Sequence, residues 1–103
     1  MLTPEYKASV LDGTATGTPL KTLGLRGRGE VFIDEGQCVR LIDRASRFLR
    51  KDAEGFMTVL SAASDAAGTP LAGHVLIRRA PVCSKARRWL NEQGVSIEAI
   101  ETK

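Results

Sequence analysis

The chain has 103 residues, 43% of them hydrophobic and 26% charged, the proportions of one globular domain with a single core. Fifteen Lys and Arg face twelve Asp and Glu, a net charge of +3 that permits a polyanionic partner without requiring one. Two cysteines exclude a disulfide framework, and no apolar run nears the roughly 18 residues of a membrane span, so a cytoplasmic protein without membrane association is expected.

Residues 1–24 read as an extended N-terminal arm. Tyr6, Ala8 and Val10 fall on one side of a short strand by period two, and "DGTATGTPL" then interrupts regular structure with glycines and a proline. "GLRGRG" (24–29) is a glycine-rich basic piece carrying Arg26 and Arg28. Gly-Thr-Pro-Leu occurs at 17–20 and again at 68–71, with different flanks, which points to one kind of turn chemistry used twice.

From Glu30 the pattern sharpens. Val31, Phe32 and Ile33 predict a strand, and Asp34 with Gln37 three residues later resembles a helix capping box. In the helix so predicted, Cys38, Ile42, Ala45 and Leu49 share one face, while Arg40, Arg44, Arg47 and Lys51 gather on the other. Gly55 ends it, Phe56 to Ser64 gives a strand, and Leu71 to Arg79 gives its hairpin partner. "APVCSKARRWLNEQG" predicts a second helix burying Val82, Ala86, Trp89 and Leu90, and Val95 to Ile100 closes as a strand.

This order, β-α-β-β-α-β, is that of an α+β ferredoxin-like sandwich: a four-stranded antiparallel sheet with two helices on one face. Residues 25–103 would form it, behind the arm. The competing architecture is a mixed sheet that takes in the arm as one or two extra strands. In the sandwich the second sheet face is open, and Phe32 is its candidate contact residue.

The RNA-recognition motif shares this order, and "VFIDEG" resembles its first-strand signature. The corresponding third strand, "AGHVLIRR", holds no aromatic residue, so base stacking on the sheet is not expected. Residues 83–100, "CSKARRWLNEQGVSIEAI", resemble the second half of the strand–CxxC–helix–strand segment of the glutaredoxin family, but Ala80 stands where that family's first cysteine would be. Cys83 is therefore a candidate thiol at a helix start with cations nearby, set against simple packing.

One histidine, His74, and two separated cysteines give no zinc-ligand spacing, and no nucleophile–base pattern or phosphate loop is visible. No metal, no cofactor and no enzymatic activity are expected. The function expected is a small interaction module that binds a protein partner or itself through the open sheet face or the arm. The alternative is an accessory protein that binds nucleic acid through Arg26, Arg28, Arg40, Arg44, Arg47 and Lys51.

Overall fold

Thr3 caps the first helix: its Oγ1 accepts the backbone N–H of Tyr6 at 3.2 Å, and Pro4 follows in the first turn, where its missing N–H does no harm. The computed structural model describes residues 3–26, 29–43 and 46–100. Helix α1 spans Pro4–Asp12 and stops at Gly13, which takes the left-handed conformation (φ 84°). Within the segment expected to be an extended arm, residues 4–12 are thus a helix, while Thr18 and Pro19 join the sheet as an extra strand, as the competing architecture expected. Thr3-Pro4 at the start of the helix and Asp12-Gly13 at its end were the available signals, and Tyr6 and Val10 lie one helical turn apart as well as on one side of a strand.

Two residues, Thr18–Pro19, form the short β1, and a 3-10 turn over Leu20–Leu23 leads away from it. Strand β2 runs Glu30–Asp34 and β3 runs Gln37–Asp43, paired antiparallel with Asp34 opposite Gln37. The turn between them is a two-residue one in which Glu35 (φ 44°) and Gly36 (φ 79°) both have positive φ, as tight hairpins require. The capping-box pattern is therefore a hairpin turn, and the helix expected over 34–51 is a strand followed by a connection.

Helix α2 spans Arg50–Ala67, across the stretch expected to hold a glycine stop and a strand. Leu49 precedes it, and the Asp52 carboxylate accepts the Leu49 N–H at 2.8 Å, securing the first turn. Ala53, Phe56, Met57, Leu60 and Ala63 make its inward stripe at helical spacing. Gly68 (φ 73°) ends it. Strand β4 spans Ala72–Arg78, helix α3 Ser84–Glu92, and strand β5 Ser96–Ile100, close to where the sequence placed them.

The five strands form one sheet in the order β1-β2-β3-β4-β5. Strands β3, β4 and β5 are parallel, β1 and β2 antiparallel. The protein is a mixed α+β globule with three α-helices and a five-stranded sheet among the described residues, not a four-stranded antiparallel ferredoxin-like sandwich. Parallel neighbours need crossover connections, and α2 and α3 supply them.

Both crossover helices pack on one face of the sheet. Phe48, Ala53, Phe56, Ala86 and Leu90 meet Val75 and Ile77 there. On the opposite face, Val10 of α1 covers Phe32, Val39 and Leu76. A third group joins Leu20 and Leu71, the last residues of the two Gly-Thr-Pro-Leu repeats, to Val31, Cys38 and Ala63. The two copies are not one turn used twice, since Thr18–Pro19 is a strand whereas Gly68 ends a helix with positive φ, yet both deliver a leucine to the same part of the core.

Candidate functional site

The structure separates the residues that a single helix was expected to align. Arg40 lies on β3, where its Nη1 donates to the Glu30 carbonyl at 2.7 Å. Arg47 is exposed in the connection from β3 to α2, and Lys51 is exposed in the first turn of α2. Arg26 is exposed after the 3-10 turn. Arg28 and Arg44 lie outside the described residues. The basic stripe at helical spacing therefore does not exist, although Arg40 and Lys51 do line one cleft.

Phe32 is 5% exposed and sits under α1, so the sheet face on which it was expected to meet a partner is occupied by the chain itself. The physical reason is simple. A sheet face carrying Phe32, Val39 and Leu76 is too apolar to leave wet, and the helix formed by residues 4–12 is close enough to cover it.

Basic charge gathers elsewhere, where α2 and α3 begin. The two connections into these helices are stitched together: Phe48 pairs with Val82 in a parallel bridge, its N–H donates to the Pro81 carbonyl at 2.8 Å, and its carbonyl accepts the Cys83 N–H at 2.9 Å. Arg50, at the start of α2, lies over the Trp89 ring of α3 at 5.4 Å. Ser84, Arg87, Arg88, Asn91 and the carboxylate-bearing Glu92 line a shallow depression along α3. Lys85, Arg87 and Arg88 were not singled out as a polyanion surface in the sequence. The signal was present, because Ala86, Trp89 and Leu90 mark the inward face and leave these cations outward.

Carboxylates neutralise some of this charge. Asp43 pairs with Arg79 at 2.8 Å and with Arg78 at 3.8 Å, and Glu54 stands 4.0 Å from Arg50. No such ion pair holds Lys51, Lys85, Arg87 or Arg88 among the described residues. These four remain exposed.

Cys83 caps α3 and is half-buried at its mouth. The backbone N–H groups of Ala86 and Lys85 face its sulfur and hold the thiol below its ordinary value, with the charges of Arg47 and Lys85 acting the same way against partial burial. Cys38 differs: fully buried on β3, it is pushed up from 9.0 to about 11 by desolvation. The two thiols should behave oppositely. In the folded protein Cys83 is expected to react with iodoacetamide roughly tenfold or more faster than Cys38, with a rate midpoint below pH 9.0. Mass-spectrometric mapping of the labelled cysteine checks this, and equal labelling would refute it. Because ionising Cys38 is harder in the folded state, the stability it contributes is complete below the unfolded thiol's value and falls as pH rises toward 11.

His74 lies on β4, half-buried, with burial lowering its pKa and Glu98 opposing. No cluster of three or more His, Cys, Asp or Glu residues suited to a metal occurs among the described residues. No helix among them is long and apolar enough to cross a membrane. No protein-family model matches the chain, and neither the curated proteins nor the solved structures contain a match to it.

Proposed function

We propose that this protein is a small non-enzymatic binding module whose ligand is nucleic acid, held through its phosphates at the end of the sheet where α2 and α3 begin. The observation that supports this reading is the set of exposed cations Lys51, Lys85, Arg87 and Arg88, without ion-pair partners among the described residues and carried by two helices whose entry segments are bridged side by side. Helix starts add the partial positive charge of their unpaired N–H groups. Arg47, exposed between β3 and α2, extends the same surface.

Recognition of this kind reads the backbone and carries little sequence preference. Aromatic residues make up only 5% of the chain, and Trp89, half-buried beneath Arg50, is not offered as a stacking platform. The protein-partner reading named the open sheet face or the arm, and of these the sheet face is covered by α1.

Fluorescence anisotropy with labelled single- and double-stranded DNA and RNA tests the proposal. Binding in the micromolar range at low salt is expected, with log affinity falling against log salt at a slope of about −3 to −4 on duplex DNA, as three or four neutralised phosphates require. Lys85→Glu combined with Arg88→Glu should weaken binding by roughly tenfold or more and flatten that slope. Absence of binding at low salt, or full binding by the double variant, would overturn the proposal.

A further inference from the structure

The two edges of the sheet differ. Strand β1 is two residues long and one of them is Pro19, which has no N–H to offer a neighbouring strand. Strand β5 has five residues and pairs with β4 in unbroken register, from His74 opposite Ser96 to Arg78 opposite Ile100. It carries no proline, lysine or bulge, the usual devices that keep an edge from pairing. All five of its residues are exposed or half-exposed, and no described residue pairs with its outer side. Its one charge, Glu98, is already engaged, because Lys7 of α1 reaches its carboxylate at 2.7 Å.

In a parallel pair, alternate residues of a strand direct both backbone groups toward the same neighbour, so the intervening residues of β5 direct theirs outward. An antiparallel partner fits that pattern only where opposed residues have the same orientation. A two-fold pair of identical strands therefore centres on a residue and not between two. Centring on Glu98 opposes all five residues of β5: Ile97 meets Ala99 of the second copy, and Ser96 meets its Ile100. We propose that this protein self-associates through β5, a second copy adding its own β5 antiparallel so that the two sheets become one. On the α1 face the two Glu98 carboxylates stand side by side, each neutralised by its own Lys7. On the other face Ile97, half-exposed beside α3, is covered by the second copy's Ala99. About four to six backbone hydrogen bonds across so short an edge make a weak, reversible dimer. Lys51, Lys85, Arg87 and Arg88 are on helices and not on this edge, so the inference stands apart from nucleic-acid binding.

Sedimentation equilibrium of the full chain between about 10 μM and about 1 mM should show monomer and dimer in exchange, with a Kd of about 1 mM or tighter. On the unaltered chain, NMR hydrogen exchange should show amides at alternate residues of 96–100 gaining protection as concentration rises. Glu98→Lys leaves only positive charge around the axis and should weaken the dimer by roughly tenfold or more. Lys7→Glu combined with Glu98→Lys restores both signs and should recover it, with circular dichroism verifying that both variants are folded. A chain that stays monomeric at the highest concentration, or a dimer whose β5 amides gain no protection, would overturn the inference. So would a dimer that folded Glu98→Lys leaves unchanged or that the folded charge swap fails to recover.

Discussion

Phe48→Ala is expected to lower the unfolding free energy by about 3–5 kcal/mol, the usual range for truncating a buried phenylalanine. Phe48 is 1% exposed and packs in the core group that joins α2, α3 and β4. Its backbone is also the stitch between the two crossover connections, bonded to Pro81 and Cys83. Those bonds survive the substitution, so the loss comes from packing and from the cavity left behind. Against a total stability of about 5–15 kcal/mol for a domain, such a loss is severe. Urea denaturation checks it: the midpoint should fall with little change in slope, and Phe48→Leu should recover most of the loss. A shift equivalent to less than about 1 kcal/mol would show that the site collapses around the alanine or that Phe48 is not packed as described.

Gly73→Val should be the next most damaging change, lowering stability by about 2–3 kcal/mol. Gly73 lies on β4 opposite Cys38 of β3, facing α2. A Cβ there would stand 2.9 Å from Phe56 Cε2, 3.0 Å from Leu60 Cδ2 and 3.2 Å from Val95 Cγ2. The strand has given up a side chain so that three larger ones can lie against its backbone. Valine normally suits a strand better than glycine, by up to about 1 kcal/mol, so a net loss would show that crowding outweighs propensity. Gly55→Ala is the matching control. It adds a methyl into open space on a helix and should raise stability by up to about 1 kcal/mol. If Gly73→Val proved neutral or stabilising by thermal denaturation, the close approach of α2 to β4 would be wrong.

The candidate site was legible only in pieces. Cys83 was placed at a helix start with cations nearby, and that is where it lies. The arginine stripe depended on a helix that does not form. Arg40 belongs to a strand, Arg47 to a connection and Lys51 to the next helix. Lys85, Arg87 and Arg88 are legible in the sequence, because the wheel that buries Ala86 and Leu90 exposes them.

By itself the sequence determined β2, β4, α3 and β5, because each carries a local signal that does not depend on the rest of the chain. Short apolar runs bounded by turns mark the strands, and Ala86, Trp89 and Leu90 at helical spacing mark α3. Tertiary structure decided the remainder. Gln37–Asp43 is a strand buried on both sides: Cys38 and Ile42 face α2 and α3, while Val39 and Leu41 face α1. Burial on two faces erases the alternation that identifies a strand, and the same apolar residues then fit a helix equally well. What selects the strand is pairing with β4, in which Gln37 meets Ala72 and Asp43 meets Arg78, far along the chain. Residues 4–12 follow the same logic, since their helix gains its value only when Val10 settles on Phe32, Val39 and Leu76. Local propensity is a fraction of a kcal/mol per residue, whereas burying one such side chain is worth about 1.5–3 kcal/mol, and the larger quantity depends on partners that no local window contains.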